Sequence, residues 1–417
     1  MPPIGRSGPS LAPALLSPWR CSPSHRERYR RPYRRTPGRT RCRYRHGADR
    51  RSLLHPHRPP AEGQGPVTAS FISTSSAATQ RFAASRRSDL RKRRLLLGAM
   101  TLAIAAIVFA SLVIGRSLTP PADVIRVLLG EAVPGASFTV GQLRLPRALT
   151  ALAAGMSFGL GGAAFQTMLR NPLASPDIIG ISSGASAAAV FAIVVLSMSG
   201  PAVSILAIAA GLGVAILVYG LSARDGVAGP RLILVGIGVS AMLESIIAYV
   251  LTRAPGFTLQ EALRWLTGSL NGAQMEQLLP LLLSLIVFGG ILFMKAQDLE
   301  AMRAGEETAA ALGVNVGLVR ILVIVSAVGL IATATAVTGP IAFVAFLTGP
   351  IAARTIGRRG SILLPSALVG AGLVLIGDLV GQFLLPGRYP VGVVTGALGA
   401  PYLILLIISV NRAGGKS

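Results

Sequence analysis

From Leu95 to about residue 409, apolar residues come in long unbroken runs rather than in amphipathic stripes. The runs fall at about 95–115, 148–168, 178–198, 202–221, 232–251, 278–294, 319–337, 339–354, 362–381 and 391–409. Most approach the roughly 20 residues an α-helix needs to cross the hydrocarbon of a bilayer. The pattern predicts an all-α polytopic membrane protein with about ten transmembrane helices in two related halves. The run at 339–354 is short and interrupted by Gly349-Pro350, so it reads as a broken helix. An even number of spans places both termini on one side of the membrane.

Composition supports a lipid solvent. The chain is 52% hydrophobic and only 13% charged, with a mean hydropathy of +0.62. A soluble domain carries about 25% charged residues, so this chain has too few to wet its own surface. Its charge is unevenly placed. Residues 1–66 hold fifteen of the forty Lys and Arg, three of the sixteen acids, all four histidines and both cysteines. The apolar body therefore lacks Cys and His, which excludes a thiol nucleophile, a Ser-His-Asp triad and the common His/Cys metal sites there. No cofactor is expected.

Three regions follow: an Arg/Pro-rich amino-terminal segment over 1–94, expected to be irregular; a ten-helix transmembrane body over 95–410; and a short tail over 411–417. Residues 1–66 show no hydrophobic periodicity and cannot bury enough apolar surface to offset their ordering entropy. Arginines interleaved with Tyr29, Tyr33 and Tyr44 suit an RNA- or lipid-binding tail. The favoured reading is that this stretch is upstream sequence translated from a start placed too early, with Val67 as the alternative first residue. The run after Arg91-Lys92-Arg93-Arg94 is long for a signal peptide and lacks a clear small-x-small cleavage site; it reads as a first span with its basic flank in the cytoplasm.

With the amino terminus inside, the Lys and Arg of the body divide eighteen inside to seven outside, in keeping with the positive-inside rule. Gly155-x-x-x-Gly159, Gly377-x-x-x-Gly381 and Gly392-x-x-x-Gly396 let helix backbones approach closely and indicate a compact bundle. Breaks at Asn171 to Pro176, Gly339-Pro340, Gly349-Pro350 and Pro386 to Pro390 put irregular backbone near membrane depth. Such backbone survives only inside protein or along a wet cavity, so the pattern points towards a transporter, although kinked packing also accounts for it.

Candidate chemistry is sparse. Gly414-Gly415-Lys416-Ser417 resembles the end of a phosphate-binding loop, but Val410 stands where the first glycine is needed and no helix follows. Any ATP is thus hydrolysed by another subunit, and this chain is not an enzyme. Two acids fall within spans. Asp378 reads as a residue near a helix end or hydrogen-bonded inside the bundle. Glu244 sits mid-span and, with Ser240 one turn before it, is a candidate pathway residue. Neither acid has a basic partner evident in the sequence. The longest inner loop contains Gly305, Glu306, Glu307, Ala311, Leu312 and Gly313. The two glutamates suit a helix start and Gly313 the C′ position. This short helix serves as a partner-docking element or as a connector.

These pieces together resemble the permeases of the iron-siderophore and cobalamin class of ABC importers, the type II importers. The resemblance rests on Arg144-Leu145-Pro146-Arg147, Gln166 to Ser183, Leu263 to Leu270, Ala311-Leu312-Gly313-Val314, Val337 to Val344 and Leu385 to Pro401, in the family's order over nearly the whole body. Gly349-Pro350-Ile351 stands where the family often has Pro-His, and looks like the ferric-enterobactin-like branch. The resemblance implies a homodimer or heterodimer of ten-helix subunits in the inner membrane of a bacterium. Two ATPase subunits would dock on Glu306–Gly313, and an extracytoplasmic binding protein would dock outside on Arg144 and Arg147. Arg388 shares that face by the topology above. Such exposed charges steer association more than they add affinity. The implied activity is import of ferric siderophores by alternating access. Import of cobalamin or haem, proton-coupled transport through Glu244 and tail-mediated RNA binding are the competing readings; no nucleic-acid partner is expected.

Overall fold

The structure is a computed structural model that describes residues 68–115, 117–222, 229–357 and 360–414. The basic segment 1–66, Val67, and the cations Arg116, Arg224, Arg358, Arg359 and Lys416 lie outside the described residues. Among those described there are fourteen α-helices and no strand.

The chain opens with α1 (Thr68–Val113) and the short α2 (Pro121–Leu128). A wide π-helical stretch, Ser137–Arg144, runs into α3 (Leu145–Met168). A 3-10 turn, Pro176–Ile179, leads to α4 (Ile181–Val194). Then come α5 (Pro201–Ser222), α6 (Gly229–Thr252), α7 (Gly256–Leu266) and α8 (Met275–Met294). Two short helices, α9 (Ala296–Arg303) and α10 (Glu306–Ala311), precede α11 (Val316–Thr338). The last three are α12 (Val344–Ile356), α13 (Leu363–Leu379), extended by a π turn over Val380–Leu384, and α14 (Val391–Gly414).

Each of the ten apolar runs falls on a helix, but not every helix is long. Seven are long and apolar enough to cross a membrane. The other three, α4, α12 and the apolar part of α14 at Val391–Leu406, are shorter. A second departure concerns residues 68–94, which are helical and continuous with the first span rather than irregular. Alanine, arginine, lysine and leucine are good helix formers, and adding them to an existing helix avoids the cost of a new nucleus.

Helices α3 and α11 form the centre. Of the long helices α3 is the most buried and α11 is equalled by α13, and α3 and α11 pack on each other. Neighbours repeat around them: α3 packs on α12 and α13, as α11 packs on α4 and α5; α4 also meets α5 and α6, as α12 meets α13 and α14. Small residues permit this closeness. A methyl added to Gly155 would lie 2.5 Å from the carbonyl oxygen of Gly370, and one on Gly159 would collide with that of Ser366. In lipid, where apolar surface has nothing to gain by leaving solvent, such van der Waals contact drives helix association.

Both central helices end in a break followed by a short helix. After α3, Asn171 Oδ1 accepts the Leu173 amide at 2.9 Å, and Gly180 takes φ 85° before α4. After α11, Gly339 takes φ 72° and Phe343, a non-glycine, φ 63°. Ala174, Ser175, Gly180, Gly339 and Ile341 are buried, so the irregular backbone is enclosed by protein. The break expected at Gly349-Pro350 does not occur: α12 runs unbroken through it, although Pro350 cannot donate to the carbonyl of Phe346. The buried Gln166 of α3 donates its Nε2 there instead, at 2.9 Å. Gly349 leaves the room, since any side chain at that position would meet the Gln166 amide.

Candidate functional site

The two breaks face one another across a pair of adjoining cavities that share Ser182, Leu266 and Pro340. One, of 530 Å³, is lined by Asp177 and Ser175 from the first break and by Phe343 and Phe346 from the second. Phe343 and Phe346 meet edge to face with centroids 6.5 Å apart. Asp177 accepts from the Ser182 hydroxyl at 2.5 Å and from that of Ser175 at 3.3 Å. The other, of 380 Å³, is lined by Glu244 of α6 and by Ser182, Ser183 and Ser186 along α4. Glu244 is exposed and has no hydrogen bond or ion pair among the described residues. Ser240 lines neither cavity; its hydroxyl is buried against Gly180.

A second constellation gathers at the start of α3, where Arg144, Arg147 and Arg388 line one depression of 340 Å³. Two of the three are already bonded within the chain. Arg144 Nη1 donates to the carbonyls of Leu112 and Val113 at 2.7 and 3.0 Å, and Nη2 to that of Ser117 at 2.9 Å. It thereby covers the last carbonyls of α1, which lack helical partners. Arg147 forms a two-pronged pair with Asp378, Nε to Oδ2 at 2.8 Å and Nη2 to Oδ1 at 2.7 Å. Asn271 accepts from Arg147 Nη1 at 2.5 Å, and Gln382 donates to Asp378 at 2.6 Å. The Arg147 and Asp378 side chains keep only 21% and 10% of their exposure. The reading of Asp378 as an acid without a basic partner is therefore corrected: its partner lies 231 residues earlier in the chain. Arg388 is exposed and has no ion pair among the described residues.

The third region is the α9–α10 turn. Gly305 precedes α10 at φ 122°, and Gly313 follows it at φ 86°. The Gly313 amide reaches the Ala310 carbonyl at 2.9 Å and the Val314 amide that of Ala309 at 3.0 Å, a Schellman closure with Gly313 at C′. Glu306 accepts from Arg320 of α11 at 2.6 Å, and Ala309 is buried. Glu307 and Ala311 are exposed, and Leu312 shows 70% of its surface, the outermost apolar side chain of the turn.

Sequence reading missed Gln166, Asp177 with its two serines, Asn271 and Gln382 as functional or positioning groups. A proline four residues after Phe346 is the signal that could have exposed an orphan carbonyl; nothing local marks Asn271 or Gln382. No group of His, Cys, Asp and Glu suited to a metal occurs among the described residues.

The model of the FecCD transport family matches residues 102–409, from the first span to the end of the last. The chain belongs to this family. It is 38% identical to the ferric enterobactin transport system permease protein FepG of Escherichia coli over 326 residues, covering 77% of this chain and 98% of that protein. It is also 38% identical to the achromobactin transport system permease protein CbrC of Dickeya dadantii, over 74% of this chain and 89% of that one. Among solved structures, an inward-facing metal-chelate type ABC transporter superposes with a TM-score of 0.69 at 29% identity, covering 76% of this chain and 99% of its own. This FecCD-family chain is thus a multi-pass membrane transport protein whose relatives are permease subunits.

Proposed function

We propose that this chain is the permease subunit of an ATP-driven importer that moves ferric siderophore complexes across the inner membrane of a bacterium. The observation that supports it best is the coverage of the match. Permeases named for siderophore transport align over nearly their whole length with the helical body, and no part of that body is left over for another activity. In this reading residues 95–410 are the permease domain. All ten apolar helices cross or enter the bilayer in two related halves, as the repeated neighbours of α3 and α11 suggest. Two ATPase subunits bind the exposed tip of α10 at Glu307, Ala311 and Leu312, while Gly305, Glu306 and Gly313 hold its shape. A binding protein docks at the opposite end, where Arg388 offers the free charge and Arg144 and Arg147 shape the surface. A second permease, either a copy or a paralogue, completes the pathway beside α6.

Each part of the chain then does mechanical rather than covalent work. Movement of α10 passes through the Glu306–Arg320 pair to α11 and through the buried contact of α9 with α3. The two central helices end at the breaks that line the cavities, so their rocking opens and closes that space. The test is uptake of a ferric siderophore into vesicles holding the complete importer. Uptake that needs ATP and the ATPase supports the proposal. Uptake that continues without them, and stops in Glu244→Gln, would instead establish proton-coupled transport.

A further inference from the structure

We infer that Arg170, at the end of α3, is a second anchor for the ATPase subunit and pairs with a carboxylate of that subunit, an inference that rests on the docking at α10 proposed above. Helix α3 closes in the same way as α10. The Arg170 amide reaches the Thr167 carbonyl at 3.2 Å and the Asn171 amide that of Gln166 at 3.1 Å, a Schellman closure with Arg170 at C′. In α10 that position is Gly313; here an arginine holds it at φ 52°. A side chain in this left-handed conformation crowds its own backbone, a cost that glycine avoids. A cation suits the negative end of α3, but one elsewhere in the last turn would serve the dipole without that cost. What this position adds is placement. The guanidinium lies beside the α9–α10 turn, with Nη1 4.0 Å from where a methyl on Gly305 would stand.

The other charges of that turn are nearly all matched. Lys295 pairs with Asp298 at 3.0 Å, Arg303 with Glu300 at 2.6 Å and Arg320 with Glu306 at 2.6 Å. Arg170 and Glu307 are left exposed, with no ion pair among the described residues. Arg170 stands beside the start of α10 and the exposed Leu312 follows its end, about 9 Å along a helix of this length. One partner surface can cover both. An arginine presents a planar fork of donors that a carboxylate accepts two at a time, so an acid on the partner fixes the register that an apolar contact alone leaves loose. Through Arg170 the partner grips the central helix α3 directly, beside the route that runs from α10 to α11.

For the test, the permease is held in lipid nanodiscs and titrated with the purified ATPase subunit of its importer, and unfolding midpoints are read on the same variants. Arg170→Gly and Arg170→Asn tolerate the left-handed backbone and should keep or raise the wild-type midpoint, so weaker binding in them does not come from a damaged fold. Both should bind the ATPase subunit about threefold to tenfold more weakly. Arg170→Glu should lose more and Arg170→Lys less, with the differences shrinking at high salt. Leu312→Asp is the reference. If it loses binding while Arg170→Gly, Arg170→Asn and Arg170→Glu bind as the wild type does, the inference falls and docking at α10 stands. If Leu312→Asp binds as the wild type does, docking at α10 itself falls, and the anchor argued here with it. Weaker binding joined to an early midpoint in both Arg170→Gly and Arg170→Asn assigns the arginine to the fold and likewise overturns the inference.

Discussion

Pro350 removes a helical hydrogen bond from α12, and Gln166 of α3 supplies the missing donor across a buried contact. Leaving a buried carbonyl unpaired costs about 1–3 kcal/mol. Gln166→Leu should therefore lower stability by about that amount, read as a fall in the thermal unfolding midpoint of the detergent-solubilised protein. A midpoint equal to wild type would mean that water or another group takes over the role. The Arg147–Asp378 pair gives a second residue-level expectation. Removing one partner leaves a charge in a site with little solvent. Arg147→Leu and Asp378→Leu should each cost about 1–3 kcal/mol, less than a fully buried pair because both side chains keep some exposure. The double variant should recover part of the loss, and a double-mutant cycle on unfolding midpoints measures the coupling. Strict additivity would show that the pair does not couple.

At the scale of elements, α3 meets α13 through backbone that a side chain would separate. Gly159 sits against the Ser366 carbonyl and Gly155 against Gly370. Gly159→Leu should push the helices apart and broaden or abolish the monodisperse peak in detergent chromatography. Gly213 of α5 offers the control, since nothing lies within 4 Å of a methyl placed there. Gly213→Ala should leave that profile intact and add about 0.5–1 kcal/mol of stability. The short helices α4 and α12 follow the same logic. Each comes after an enclosed break, so a pathway wall can include polar backbone and serine hydroxyls without exposing them to lipid.

For the whole molecule, in the importer proposed above, force from the ATPase subunits enters this chain through a small surface. The α10 turn is closed at one end by Gly313 and tied to α11 by Glu306, so Leu312 projects from a rigid support. Leu312→Asp should abolish ATP-dependent uptake and weaken capture of the ATPase subunit, while the unfolding free energy stays within about 0.5 kcal/mol of wild type. A variant that unfolds early would assign Leu312 to the fold instead. Transport that continues unchanged would move the docking surface elsewhere.

The apolar runs alone determined that this protein lives in a bilayer and is helical, because residues facing hydrocarbon must be apolar whichever way the bundle is assembled. Punctuation by Asn171-Pro172 and Gly339-Pro340 located the two breaks, since proline and glycine act on their own backbone, whereas α12 runs unbroken through Gly349-Pro350. The α10 turn was legible for the same reason: Glu306, Glu307 and Gly313 act within one short helix. Lengths were less legible, because an apolar residue in a buried break looks like one in a span; α4 and α12 came out short. Partners across the bundle were not legible at all. Arg147 and Asp378, or Gln166 and the carbonyl of Phe346, lie far apart in the chain, and only the packing of α3 against α12 and α13 brings them within bonding distance. Tertiary packing also ties Arg147 to Asp378 and Arg144 to the end of α1, and it leaves Glu244 exposed on α6.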